Sequence, residues 1–491
     1  LEISRVTDTG QGKDWLLLAA LSVALIALKA WLIRAAGVDL HYDEAQYWEW
    51  SRQLDWSYYS KGPLIAWLIA LSEALFGHGA WQVRLPAWLA HCALLFLIFA
   101  FAREVWASRG AAWWAVIITL FTPLYFTLGL VMTTDIWLFL CWTAGLWAVY
   151  RALIMERSGS WLLAGIAVGI GTLTKLSIGL LPAAAGIAVL LNPAWRRHLK
   201  SPQLWGGLLI MVLFMSPVLW WNAHHGWVMF HHEEGHIGEV QWSLGRGLYF
   251  FVEQAMVLSP LVVLVAFTVL RRLPEPSGQR LLWGLSLAWI MFFFFKALTA
   301  KVELNWPAPS YLGLVILFAG HVQLLPRWKR RTLFAGFGFS LAVMTLIYFL
   351  YDFGFTNRQD PFKDTKAWRE PVAALSREVP PVQFILTPNY KMAAEVAFYW
   401  PHEIPVYVAG NAERRFNQHD LWPSIDREAG HDGLWISASP TVPAELSLAF
   451  SQCTPLPSVP AITPDGNTLR ILYVRHCIRY KPIAWPKPGS Y

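Results

Sequence analysis

The chain has 491 residues, 56% hydrophobic and 14% charged, whereas a soluble globular domain carries about a quarter charged residues. Its 30 Trp are a residue suited to membrane–water interfaces, where an apolar ring with one polar handle is at home. This composition excludes an ordinary soluble protein. The net charge of +7 does not call for nucleic acid, because the basic residues fall in short runs between apolar stretches, as orientation in a bilayer requires.

The first apolar stretch runs from about Trp15 to Ile33. Spanning a bilayer takes about 20 residues, and a signal-peptide core has only about 7–15, so it reads as an uncleaved anchor. Further apolar segments lie near 84–102, 111–128, 134–150, 161–174, 177–191, 203–222, 247–270, 281–298, 308–325 and 332–351, about eleven spans in all. The short pair 161–174 and 177–191 reads as half-depth helices meeting at Thr174 and Lys175. Every second loop is basic: Arg103 and Arg109, Arg151 and Arg157, Arg196 to Lys200, Arg271 to Arg280, and Arg327 to Arg331. The positive-inside rule puts these loops and the N-terminus in the cytoplasm and the C-terminal part outside. The opposite loops hold only Arg52, Lys61, Arg84, Lys175, Arg246 and Lys301. Orientation does not need cations there, so pairing with a phosphate is the functional reading; a snorkelling interfacial side chain is the plain one.

The first outer segment, 37–82, opens with Asp43 and Glu44 at the start of a helix-compatible stretch, with Tyr47, Trp48 and Trp50 along the interface. Helix starts favour carboxylates, which explains the acids without function. Yet Lys61 follows in a Ser-Lys-Gly-Pro turn. Acids with a cation suit transfer between a phosphate ester and a hydroxyl: the carboxylate takes the proton and the cation holds the phosphate. In the next outer loop Asp135 sits at the membrane edge of a span, either capping it or lining a site. His232, Glu233 and His236 match H-E-x-x-H, a zinc pattern when helical. Gly235 disfavours that helix, no third ligand stands out nearby, and the acid of the Pro464-Asp465-Gly466 triplet lies in the polar tail, so His236 is better read as a polar group near a phosphate. Lys301, Glu303 and Asn305 precede a Trp-Pro break, the kind of irregular backbone tolerated at membrane depth around a cavity.

From about residue 352 the chain turns polar. Strands are expected at 382–386, 406–408, 434–437 and 469–474, with a helix over 390–399. The domains are thus 1–351, transmembrane, and 352–491, a small α/β domain. Cys92 and Cys141 read as packing residues; Cys453 and Cys477 pair as a disulfide if this part meets an oxidising compartment.

Asp43-Glu44 and the run Tyr58-Tyr59-Ser60-Lys61-Gly62-Pro63-Leu64-Ile65-Ala66-Trp67 resemble the first outer loop of GT-C glycosyltransferases. The matching branch is the bacterial one related to protein mannosyltransferases and lipid A aminoarabinose transferases. Arg84-Leu85-Pro86, Thr133-Thr134-Asp135, Thr174-Lys175, Glu303-Leu304-Asn305-Trp306-Pro307 and Ala394-Glu395-Val396-Ala397-Phe398-Tyr399 are similar to it as well. The resemblance implies a polytopic α-helical GT-C fold, with interfacial helices in the first outer loop and a periplasmic α/β domain. It implies a bacterial inner-membrane glycosyltransferase that takes a sugar from polyprenyl (undecaprenyl) phosphate and passes it, with inversion, to lipid A, lipopolysaccharide or another envelope glycan. Asp43 matches the catalytic acid, with Glu44 and Asp135 as further candidates. Lys61 matches the phosphate-binding lysine of the aminoarabinose branch, where many relatives of the other branch carry Asp-His-Pro-Pro; Arg84 and Lys301 could join it. Tyr59, Lys175, His236, Glu303 and Asn305 would line the substrate pocket. No cofactor is required with certainty, and a divalent metal is compatible with the chemistry. Protein O-glycosylation is the nearby alternative. A lipid or sugar transporter is the alternative of another class, disfavoured because the polar residues gather at the outer span ends rather than at the midplane.

Overall fold

The computed structural model describes residues 11–235, 242–272, 276–351, 360, 362–462 and 466–490. His236 and the pair 464–465 lie outside the described residues. The expected apolar segments fall mainly on helix, but 111–128, 247–270 and 308–325 are each interrupted. Among the described residues six helices are long and apolar enough to cross a membrane: Gly12–Ala35, Ala80–Trp106, Thr134–Leu153, Pro202–His224, Ser277–Ala297 and Arg327–Tyr351. A bent pair makes up to seven, and shorter apolar helices include Arg109–Leu120, Ser160–Thr172 and Ala308–Ala319. The chain is a multi-pass membrane protein.

It divides into two compact units. The first holds Leu1–Ile33, Arg84–Ser216 and Glu239–Thr345; the second holds Arg34–Val83, Pro217–Gly238 and Leu346–Tyr491. The first outer segment thus belongs with the C-terminal part, whereas the sequence suggested one division near 351.

Thr134–Leu153 is a central helix of the first unit, with 72% of its apolar window buried, against 17% for that of Pro202–His224. Leu209, Val212 and Leu213 on the latter are exposed, a stripe that needs lipid as solvent because a helix satisfies its own backbone polar groups there. The segment 247–270, read as one span, is two helices bent by 110°. Ser259 stands between them at φ +81°, a left-handed conformation that side chains rarely adopt. Pro260 follows and brings no N–H to continue the ladder, and Ser259 Oγ donates to Gly336 O at 3.0 Å. The expected break at 174–175 is present between Ser160–Thr172 and the turn Leu176–Gly179.

The second unit contains a six-stranded sheet. Its strands are β1 Phe384–Thr387, β2 Val406–Val408, β3 Gly433–Ser437, β4 Phe450–Pro455, β5 Val459–Ile462 and β6 Thr468–Tyr480, ordered β2-β1-β3-β6-β4 with β5 also on β6. The helix Tyr390–Tyr399 links the parallel strands β1 and β2, as a parallel connection requires. Side chains alternate faces along a strand. Ile385, Leu434, Ile436, Leu472 and Val474 therefore meet Val372, Leu375, Met392 and Val396 on one face. Phe384, Leu386, Trp435 and Cys477 meet Leu446, Phe450 and Tyr480 on the other. Both faces are covered, which is why β1 and β3 are buried at every residue. Strands β4 and β5 were not expected from sequence. Cys453 of β4 lies opposite Cys477 of β6, and the two form a disulfide across Cα atoms 4.1 Å apart.

Candidate functional site

In the second unit the helix Tyr42–Ser51 begins with a capping box. His41 Nδ1 accepts from the Asp43 N–H at 3.3 Å, and Glu44 Oε2 accepts from the His41 N–H at 3.0 Å, which satisfies otherwise orphaned donors of the first turn. Glu44, fully buried, thus closes the helix start, the structural role foreseen for the acid pair. Asp43 is different: its side chain keeps 41% of its surface open. Burial of its surroundings pushes the Asp43 carboxyl up from the ordinary carboxylate range; His41, Lys391 and Lys61 pull it down, and Glu44 adds to the push.

The helix Tyr390–Tyr399 supports this start. Tyr399 Oη accepts from the Leu40 N–H at 2.8 Å, and the Lys391 ammonium lies 3.8 Å over the Tyr42 ring, an attraction to the ring face. Burial raises the phenols of Tyr59 and Tyr390, and the Asp43 charge raises both further. Lys391 and Tyr390 lie close enough to Asp43 to feel its charge and were not singled out from sequence; the local signal was a helix start at Asn389, whose side chain caps Met392.

The turn carrying Lys61 is built from its own backbone: the Tyr58 N–H donates to Lys61 O at 3.0 Å. Tyr58 stacks on Trp50 with centroids 4.5 Å apart and donates to Trp50 O at 3.0 Å. Gln418 Oε1 accepts from the Tyr59 N–H at 2.8 Å. Lys61 Nζ stands 3.5 Å from Glu233 Oε1, and His232 meets the Tyr59 ring edge-on at 5.1 Å. Two residues of the H-E-x-x-H stretch therefore face the Lys61 turn. Among the described residues no group of three or more His, Cys, Asp or Glu side chains could hold a metal ion.

The first unit gathers three separate sequence motifs. Thr133 Oγ1 caps its helix by accepting from the Asp135 N–H at 3.3 Å. This leaves the Asp135 carboxylate to Lys175 Nζ at 3.2 Å and Asn305 Nδ2 at 2.7 Å. Asp135 and Lys175 are 7% and 15% exposed, so the pair is largely withdrawn from water. Trp289 Nε1 donates to Trp306 O at 3.0 Å and Lys296 lies 4.4 Å over the Trp306 ring, holding the Trp-Pro break beside Asn305. Lys301 is 81% exposed and pairs with Glu303 at 2.9 Å. Arg84 is fully buried on the Ala80–Trp106 helix.

Residues 60–221 match the family model of dolichyl-phosphate-mannose-protein mannosyltransferases. A lipid A galacturonosyltransferase of Rhizobium johnstonii is 31% identical over 288 residues, 57% of this chain and 60% of that protein. An undecaprenyl phosphate-α-4-amino-4-deoxy-L-arabinose arabinosyl transferase of Pectobacterium carotovorum is 31% identical over 199 residues, 37% of this chain and 35% of that protein. The matched stretch thus spans less than two thirds of these curated relatives. The crystal structure of ArnT from Cupriavidus metallidurans, bound to undecaprenyl phosphate, superposes with a TM-score of 0.69 at 16% identity, over 95% of this chain and 98% of that one. In fold the chain is like ArnT, and in sequence parts of it are similar to the mannosyltransferase family model and to lipid A and aminoarabinose transferases.

Proposed function

We propose that the chain is an integral-membrane glycosyltransferase. It moves a sugar from a polyprenyl-phosphate donor to an envelope acceptor, lipid A or a related glycan. The observation that carries this is Asp43: a partly open carboxylate at a helix start, pushed up by burial and flanked by the cations of Lys61 and Lys391. The names of the relatives support the donor and acceptor classes. The family model's name keeps a protein hydroxyl in view as acceptor, but both curated relatives given above are lipid A or undecaprenyl-phosphate aminoarabinose enzymes.

In the transfer the bond between the sugar's anomeric carbon and the phosphate oxygen breaks, and a bond to the acceptor oxygen forms on the opposite face. Negative charge grows on the departing lipid phosphate. Lys61 neutralises it. Asp43 takes the acceptor's proton; its raised pKa makes it a better proton acceptor than an ordinary carboxylate. Where the acceptor is already an anion, Asp43 orients it. Asp135, tied to Lys175 and Asn305, orders its own unit, and Tyr59 shapes the turn that presents Lys61. We also assign the active face to the periplasm, with the N-terminus in the cytoplasm of a bacterial inner membrane. The disulfide in the 352–491 part supports this, since such bonds persist in oxidising compartments.

Purified protein incubated with a panel of polyprenyl-phosphate sugars and an envelope lipid fraction should produce an acceptor heavier by one sugar, read by mass spectrometry. Asp43→Asn and Lys61→Ala should each abolish most of the product. An Asp43→Asn variant that expresses, folds and turns over near normally would sink the assignment.

A further inference from the structure

A cavity of about 440 Å³ lies wholly within the second unit, away from Asp43. Its volume falls in the range of small-ligand sites, roughly 300–1,000 Å³. Three aromatic residues line it, Tyr407, Trp422 and Trp485, together with Arg427, Lys487 and His419. The C-terminal tail forms one wall. A Cβ on Gly410 would lie 2.5 Å from Trp485 Cβ, and Phe416 N–H donates to Ser490 O at 2.7 Å, so the tail is strapped against the loop after β2.

The charges in and beside this cavity are not balanced. Asp420 is consumed by Arg414, which donates to both its oxygens at 2.7 and 2.5 Å. Glu428 nearby accepts from Tyr407 Oη at 2.8 Å and faces His431 at 3.0 Å. Among the described residues no such ion pair fixes Arg427 or Lys487, and both are exposed. Two uncommitted cations beside flat amphipathic rings suit a ligand with an anionic group and ring faces of C–H bonds. Aromatic rings supply contact area for such faces, and guanidinium and ammonium groups bind phosphate or carboxylate.

One lining residue is tied to the helix of the site described above. His419 Nε2 lies 3.2 Å from Glu49 Oε2, and Glu49 is on the same helix as Asp43. Six residues of α-helix separate them, about 9 Å along the axis, a span of one or two sugar rings.

We propose that this cavity is an acceptor subsite that binds an anionic saccharide and holds the acceptor glycan beside the helix that carries Asp43. The inference rests on the glycosyltransferase reading for its role, but not for its ligand chemistry.

The test uses the full chain in lipid nanodiscs and calorimetric titration with three probes: a phosphorylated glucosamine disaccharide, the same disaccharide without phosphate, and inorganic phosphate. The phosphorylated disaccharide should bind at least ten-fold more tightly than either control. The double variant Arg427→Ala/Lys487→Ala, and separately Trp422→Ala, should weaken it at least ten-fold with an unchanged melting temperature, while Asp43→Asn keeps it. Unchanged affinity in both variants overturns the proposal. So does inorganic phosphate binding as tightly as the disaccharide, which marks a bare anion site. Strand β2 ends the sheet order and lines the cavity. Displacement by an extended peptide, with no saccharide binding, would assign the cavity to strand addition instead. Transfer assays separate the two readings. Wild-type transfer with an acceptor KM indifferent to Arg427→Ala/Lys487→Ala sinks the subsite alone. Saccharide binding without transfer from any donor sinks the transferase reading alone.

Discussion

Lys61 Nζ stands 3.5 Å from the Glu233 carboxylate, with the lysine 19% and the glutamate 46% exposed. The cation proposed to receive a lipid phosphate is thus held beside an acid that the phosphate would have to displace or share. Removing one preorganised charge-stabilising donor typically costs about 10²–10³ in rate, so Lys61→Ala should lower kcat by that order. Glu233→Gln keeps the lysine and removes its competitor; the donor KM should fall with kcat retained. A ten-fold rise in donor KM would instead make Glu233 the residue that orients Lys61.

The pH dependence follows from Asp43. Its carboxyl is held above the ordinary range, mainly by burial, and a base must be deprotonated to work. Transfer to a hydroxyl acceptor should therefore rise with pH through a midpoint above the usual Asp value of about 3.9. Lys391 pulls the carboxyl down, so Lys391→Met should move the acid limb of kcat/KM to higher pH. A limb that stays put, or moves down, would show that Lys391 does not feel Asp43.

Asp135, Lys175 and Asn305 form the second set. Removing one partner of a buried ion pair typically costs about 3–5 kcal/mol, because a charge is left uncompensated. Lys175→Met should destabilise the detergent-solubilised protein by an amount of that order, and Asp135→Asn/Lys175→Met should cost much less than the sum of the single changes. Thermal unfolding of the four proteins of this cycle gives the coupling directly. Additive effects would mean that the 3.2 Å contact carries no weight.

The Cys453–Cys477 bond closes a separation of 24 residues. Closing a loop of this length stabilises by about 3 kcal/mol. Cys453→Ser/Cys477→Ser should therefore lower the denaturation midpoint of the C-terminal part and speed its proteolysis. The wild type should resist alkylation at these positions until reduced. Alkylation without reductant would place this part in a reducing compartment.

Much of the molecule was legible residue by residue. Apolar runs located the helices, because lipid-facing and helix-buried positions demand the same residue types over many consecutive positions. The helix Tyr390–Tyr399 and strand Val406–Val408 fall where their patterns put them. Asp43 and Lys61 stood out because acids and a cation lay close together in one short loop. Strands β4 and β5 did not, since β4 is largely polar and ends on a proline, and β5 has only four residues, one of them a proline. The 110° bend at Ser259 was not anticipated, because the mostly apolar run 247–270 is long enough for one span and its Ser259-Pro260 pair was passed over.

Sequence by itself determined that the chain spans a membrane, where its helices run and which loop carries acid beside cation, because these properties depend on neighbouring residues. Tertiary structure alone decided that Lys391 and Glu233 attend Asp43 and Lys61, that Asn305 and Lys175 share one carboxylate 170 and 40 residues away, and that Glu44 closes a helix while Asp43 stays open. Those are matters of charge and hydrogen bonding through space, and such forces fall off with distance between atoms rather than with separation along the chain.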